Sequence, residues 1–287
     1  MNQDVIHPIT TEVLQRLAHT PDSRMRELMT GLVRHLHAFA CETRLTDAEW
    51  LEAIQFLTAV GQKCSDQRQE FILLSDVLGL SMVVTDMNHP TAEGCTESTV
   101  FGPFHVEGAP RFKAGDDIAV GASGEPCWVQ GRVLGQDGET IPHAIIDVWQ
   151  ADAEGFYDVQ RADLQHLQAR GVLETDAQGR FSFRSIVPEA YPVPTDGPVG
   201  GLLAATKRHP WRPAHLHFMI SAPGYRKLIT HVFRRGGEYL DSDVVFGVRD
   251  SLIGDWVHQA PGNAPDGSRF ETPWWLLEFD FVLDVER

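Results

Sequence analysis

The stretch Arg212–Phe218 reads RPAHLHF. It opens the alternating run AHLHFMIS (214–221), which reads as a β-strand. Residues i and i+2 of a strand share a face, so His215 and His217 present two imidazoles side by side, with Leu216 turned the other way. Working outward, further short alternating runs separated by turns are CWVQGRVL (127–134), AIIDVWQA (144–151), GRFSFRSI (179–186), LITHVF (228–233) and LLEFDFVL (276–283). In the last, Leu277, Phe279, Phe281 and Leu283 alternate with Glu278 and Asp280. GQDGET (135–140) between two of the runs is a turn signal. Short strands at this spacing predict an antiparallel sandwich or barrel.

The first third has the period of helices. Met25, Leu28, Met29, Leu32, Val33, Leu36, Phe39 and Ala40 recur at helical spacing. Thr46 and Glu49 form a capping box before a helix carrying Trp50, Leu51, Ile54, Leu57 and Val60. Ser65 is positioned to cap a further helix, DQRQEFILLSDVLGLSMVV (66–84), and TTEVLQRLA (10–18) completes about four helices in roughly 90 residues. Their apolar stripes suit packing on one another or on a partner subunit. Residues 88–117 are loop-rich, with Gly and Pro as punctuation. The expected class is therefore α+β: an N-terminal helical domain with linker over 1–105, then an antiparallel β-sandwich domain over 106–287.

The chain has 287 residues, and 24 Lys and Arg against 40 Asp and Glu give a net charge of −16. So acidic a surface argues against nucleic acid or anionic membrane as partner. Cys41, Cys64, Cys95 and Cys127 are far apart and make no C-x-x-C pair, which reads as reduced thiols of a cytoplasmic protein. The start, MNQDVIHPIT, lacks the basic and apolar regions of a signal peptide. No apolar stretch reaches the ~20 residues that span a bilayer.

An H-x-H pair alone is a weak metal signal and reads first as hydrogen-bonded histidines on a strand; as ligands, imidazoles suit Zn, Cu, Fe and Ni alike. Two of the four tyrosines, Tyr157 in ADAEGFYD and Tyr191 in VPEAYPVPTDGP, lie in turn-rich stretches. Phenol is protonated in water, with a pKa near 10, and a highly charged ion selects its anion. Two imidazoles with two phenolates therefore suit Fe(III) better than Zn²⁺, although a zinc hydrolase built on the histidines and a metal-free binding module stay open at this point.

VWQADAEGFYD (148–158), VPEAYPVPTDGPVG (187–200) and RHPWRPAHLHF (208–218) resemble the signature of the intradiol ring-cleavage dioxygenases. The resemblance extends to STVFGPFH (98–105) and the terminal FDFVL (279–283). It implies one non-haem Fe(III) per subunit, held by Tyr157, Tyr191, His215 and His217. It implies a small aromatic diol or triol and O₂ as reactants, with cleavage between the two oxygen-bearing carbons. It also implies that Tyr191 leaves the metal to accept a substrate proton, that the chain dimerises through its N-terminal helices, and that lipid occupies an apolar tunnel there. Arg212, three residues before His215 in the basic run KRHPWR, is well placed to stabilise the electron-rich ring. His231 in LITHVF stands where many relatives carry glutamine; it is expected beside the metal as a hydrogen-bonding or proton-transferring group rather than a fifth ligand.

Leu73, Asp76 and Leu80 of FILLSDVLGLS fall at i, i+3 and i+7, on one helical face. An acid there resembles the hydroxyquinol 1,2-dioxygenase branch, in which it is associated with the third hydroxyl of benzene-1,2,4-triol. Val244 in DSDVVFG matches that branch too, and Val100, Phe101 and Gly102 are expected as a second wall. The resemblance thus implies hydroxyquinol as substrate, with catechol or a chlorocatechol as the alternative.

Overall fold

The computed structural model describes residues 7–65, 68–161 and 164–286. The chain divides between Gln62 and Lys63 into two units. In the first, local capping sets each helix. Pro8 opens α1 (Pro8–Leu17), with His7 Nδ1 accepting from the Ile9 N–H at 3.3 Å. The Asp22 carboxylate accepts from the Met25 N–H at 2.6 Å and starts α2 (Ser23–Thr43), which ends at left-handed Arg44. The expected capping box opens α3 (Asp47–Lys63): Thr46 N–H donates to Glu49 at 2.9 Å, and Glu49 N–H to Thr46 Oγ1 at 3.3 Å. No residue of α2 is buried; Met25, Leu28, Leu32, Leu36 and Phe39 of α2 and Trp50, Leu51, Ile54 and Leu57 of α3 are all exposed.

The second unit begins at Lys63. The single helix expected over 66–84 is two, α4 (Glu70–Val77) and α5 (Leu80–Asn88). Gly79 takes φ +75°, and its N–H bonds the Asp76 carbonyl at 2.9 Å, which ends α4. Ser65 is not the cap: it exchanges backbone bonds with Arg68 at 2.8 and 3.2 Å, and α4 begins after Gln69 with no side-chain cap. The Asp66 and Gln67 part of that expected helix lies outside the described residues. Leu80 starts α5 and is exposed, so it does not share a face with Leu73 and Asp76.

The strands are β1 (Pro126–Gly135), β2 (Ile145–Gln150), β3 (Arg170–Glu174), β4 (Arg180–Ile186), β5 (Tyr191–Pro192), β6 (Trp211–Arg212), β7 (His215–Ser221), β8 (Leu228–Arg234), β9 (Ile253–Gly254), β10 (Trp256–Gln259), β11 (Gly262–Asn263), β12 (Arg269–Phe270), β13 (Trp274–Glu278) and β14 (Phe281–Leu283). Helix α6 (Pro198–Ala205) lies between β5 and β6 in the chain. One five-stranded sheet runs β3-β2-β7-β8-β9. In the other, β1 pairs with β4 on one edge and with β13 and β14 on the other, and β10 pairs with β13. The sheets are mixed rather than wholly antiparallel, because β13 and β14 run parallel to β1, and β9 parallel to β8. The last alternating run is two strands. Phe279 and Asp280 interrupt it: the Phe279 N–H bonds Gln130 O at 3.0 Å, and Asp280 turns its carboxylate to the Arg132 N–H at 2.8 Å. A Cβ on the facing Gly131 would stand 1.8 Å from the Phe279 carbonyl oxygen, so only glycine fits.

Between the sheets lies one apolar core, including Val129, Val133, Ile146, Val148, Phe183, Leu216, Phe218, Val232, Leu277 and Phe281. Burying it supplies the main driving force for the sandwich. Because Leu216 and Phe218 take the core face of β7, period two forces His215 and His217 onto the opposite face.

Candidate metal centre and substrate cavity

Sheet register assembles the site. Trp149 of β2 pairs with His217 of β7, and His217 with His231 of β8, so three side chains form one row across the sheet face opposite the core. The Trp149 and His217 rings stack at 4.7 Å and 16°. His215 Nδ1–H donates to the Pro213 carbonyl at 2.6 Å, which leaves the Nε2 lone pair facing the site. His215 Nε2 lies 3.1 Å from His217 Nε2. Tyr157 Oη lies 2.8 Å from His217 Nε2 and 3.4 Å from His215 Nε2. Tyr191 Oη is 3.5 Å from Arg212 Nη1, itself 3.3 Å from His215 Nε2.

The tyrosines come from irregular segments, and separate devices fix them. Tyr157 N–H bonds Gln160 Oε1 at 2.9 Å, and its ring stacks on Phe104 at 4.3 Å. The next residue, Asp158, forms a buried ion pair with Arg170, whose Nη1 donates to the Phe104 carbonyl at 2.9 Å. Tyr191 is held by the two-residue ladder of β5 with β6, where it faces Arg212, and its ring meets Tyr157 edge-on at 5.3 Å. Gly102, at φ +76°, lies against His217; a Cβ there would come 3.0 Å from His217 Cε1.

Burial first, and then the Arg212 charge, hold His215 well below the ordinary imidazole range. Burial, then the neighbouring His215 and Arg212, do the same to His217, and burial and the neighbouring histidines to His231. Burial also drives the Tyr157 phenol well above its usual value. Arg212 stays charged despite burial, because Asp243 and the tyrosines favour the cation. The imidazoles are thus neutral, as ligands must be, and only a strong positive charge would ionise the phenol. Among the described residues, His215, His217 and His231 form one group whose ligand atoms lie within 4.8 Å of one another. His231 Nδ1 contacts Thr99 Oγ1 at 2.6 Å, while its buried Nε2 has no hydrogen-bond partner. Converging imidazoles and phenols with an orphaned buried nitrogen fit a metal ion.

A cavity of about 100 Å³ adjoins the site, lined by Leu73, Asp76, Val100, Gly102, Tyr191, Arg212 and Val245 among others. Ile72, Leu73 and Asp76 line it from one face of α4, with Gln69 at the helix N-cap. Two expected wall residues fall elsewhere. Val244 is buried with its carbonyl on Arg208 at 3.0 Å, and Val245 takes the place at the cavity. Phe101 packs on Trp149 and His105 instead of lining the cavity. Sequence reasoning missed Trp149, Thr99, Phe104 and the Asp158–Arg170 pair. Trp149 carried a signal, since it has the outward parity of β2 yet is apolar and large. The Asp158–Arg170 pair had none, because its members come from different local structures.

Fold and site together define a protein of sandwich architecture whose converging imidazoles and phenols suit a metal ion. The family model described as "Dioxygenase" matches residues 100–285, and that described as "Catechol dioxygenase N terminus" matches residues 22–96. The 6-chlorohydroxyquinol 1,2-dioxygenase of Cupriavidus pinatubonensis is 62% identical over 97% of this chain and 97% of its own. The hydroxyquinol 1,2-dioxygenase of Rhodococcus opacus is 52% identical over 97% of this chain and 94% of its own. The crystal structure of hydroxyquinol 1,2-dioxygenase from Pseudomonas putida DLL-E4 superposes with a TM-score of 0.92 at 46% identity, covering 97% of this chain and 98% of that one. The chain belongs to the intradiol ring-cleavage dioxygenases. Among the described residues, no helix is long and apolar enough to cross a membrane.

Proposed function

We propose that the protein cleaves hydroxyquinol with O₂ between its adjacent hydroxyl-bearing carbons, giving 3-hydroxy-cis,cis-muconate and, by tautomerisation, maleylacetate. The observation that carries this reading is the placement of Asp76 in the same small cavity as Tyr191 and Arg212. Tyr157, Tyr191, His215 and His217 would hold one non-haem Fe(III) per subunit. When bound, that ion supplies Lewis acidity that ionises the diol and lets its electrons reach O₂.

The chain's own groups do the rest. Tyr191, which lines the cavity, accepts a substrate proton at Oη. Arg212 directs its positive charge at the ionised ring. Asp76 accepts a hydrogen bond from the third hydroxyl; burial raises its pKa, and a hydroxyl donor restores part of the hydration it has lost. Val100, Gly102, Leu73 and Val245 exclude water around the ring. His231, steadied by Thr99, faces the site as a hydrogen-bonding group rather than a ligand. Catechol lacks the group that Asp76 reads, which makes it the poorer substrate.

The division into 1–105 and 106–287 belongs to the same proposal: all four metal ligands come from the second part, and Leu73, Asp76, Val100 and Gly102 from the first. So does a homodimer formed through the exposed apolar stripes of α2 and α3, with lipid in a tunnel at that interface. The wide spacing of the four cysteines, with no C-x-x-C pair, accords with the reducing cytoplasm. Metal analysis with visible absorption tests the centre. About one iron per chain with a broad visible band supports tyrosinate on Fe(III); a colourless protein, or one loaded with zinc, would refute it.

A further inference from the structure

Asp243 stands in the irregular stretch DSDVVFG between β8 and β9, yet its side chain is only 2% exposed. Its carboxylate takes four N–H groups. Arg212 donates from Nε to Oδ1 at 3.2 Å and from Nη2 to Oδ2 at 3.4 Å. The backbone donates from Val245 to Oδ1 at 3.4 Å and from Gly247 to Oδ2 at 2.9 Å. The pairing is side-on, so one edge of the guanidinium is spent on Asp243. The remaining nitrogen, Nη1, is thereby directed at Tyr191 Oη and His215 Nε2, 3.5 and 3.3 Å away. The backing is tight as well. A Cβ on Gly247 would stand 3.2 Å from both Arg212 Nη2 and Asp243 Oδ2.

A guanidinium at the end of a long side chain has many rotamers, and charge stabilisation in a reaction depends on its direction being set beforehand. We infer that Asp243 is a positioning residue for the reaction: it aims Arg212 at the reacting ring and, through the Val245 N–H, ties one wall of the substrate cavity to that same guanidinium. Asp243 touches neither substrate nor metal; it acts through Arg212. This inference rests on the dioxygenase reading, in which Arg212 faces the ionised ring.

The test is a double-mutant cycle in steady-state O₂ uptake on hydroxyquinol, using metal-loaded wild type, Arg212→Gln, Asp243→Asn and the double variant. Asp243→Asn is expected to lower kcat by about tenfold or more with a smaller change in KM, since it removes a charge partner from a buried cation. Its visible absorption stays that of wild type, because the four donors are untouched. The double variant is expected to be no slower than Arg212→Gln within about twofold, because both changes break one device. Gly247→Ala presses on the pair from behind and serves where Asp243→Asn does not fold; it is expected to lower kcat in the same direction by less. Multiplying losses in the double variant, or wild-type kcat in Asp243→Asn or Gly247→Ala, would overturn this role while leaving the dioxygenase reading intact. A metal-loaded wild type inactive on both hydroxyquinol and catechol would overturn both.

Discussion

Replacing Arg170 with methionine tests how the tyrosine side of the centre is held. Arg170 and Asp158 have side chains 2% and 3% exposed. Arg170 Nε donates to Asp158 Oδ2 at 2.7 Å, Nη2 donates to Oδ1, and Nη1 donates to the Phe104 carbonyl at 2.9 Å. Methionine retains the apolar stem and removes all these donors. Breaking a buried pair from one side costs about 3–5 kcal/mol, because the surviving charge stays buried. Asp158 keeps the Val159 and Gln168 N–H groups at 2.9 and 3.1 Å. Those two bonds place the expectation near the lower end, about 3 kcal/mol. At roughly 2–4 °C per kcal/mol for a unit of this size, Tm falls by roughly 6–12 °C. Calorimetry should use chelator-treated protein, so that metal linkage does not add to the difference. Asp158→Asn combined with Arg170→Met should recover part of the loss. A single variant within about 1 kcal/mol of wild type would refute the reasoning. Since Phe104 stacks on Tyr157, the reloaded variant should also have a weaker visible band than wild type.

Asp76→Ala should reduce the preference for hydroxyquinol over catechol by about 10- to 100-fold, the worth of one hydrogen bond to a charged acceptor; competition between the two substrates measures it. Gly102→Ala forces a left-handed φ onto a residue with a Cβ and presses on His217, so it should cost roughly 1–2 kcal/mol in denaturant unfolding and lower iron retention under dialysis. Lys63 and Arg68 hold the Asp196 carboxyl at about 2, below its unfolded value near 3.9. Its small, solvent-screened contribution is therefore present above about pH 4 and lost as pH falls toward 2. Asp196→Asn should then be slightly less stable than wild type at pH 7 and equal to it near pH 2, a comparison that urea titrations at the two pH values make directly.

Much of this was legible because strand parity is a local property. His215 and His217 share a face for the reason that puts Leu216 in the core, and that required nothing beyond the period of two. Capping chemistry was equally local, and Thr46 with Glu49 is read directly from spacing. The failures have different causes. The break at Gly79 is local, a left-handed glycine within an otherwise helical period, whereas the interruption at Phe279 and Asp280 depends on partners far away in the chain, Gln130 and Arg132. Period alone cannot choose Val245 over Val244 either, because the stretch has no regular structure to impose a parity. The buried pairs Asp158–Arg170 and Arg212–Asp243 emerge only when tertiary structure brings their segments together.

Intradiol cleavage of hydroxyquinol is read from initial O₂ uptake by the iron-loaded protein on hydroxyquinol and on catechol, corrected for hydroxyquinol's self-oxidation, with the product identified by mass. Hydroxyquinol should turn over faster, to the ring-opened dicarboxylic acid carrying both atoms of O₂. Faster turnover of catechol would contradict the role of Asp76, and no uptake with either substrate would contradict the assignment of the centre.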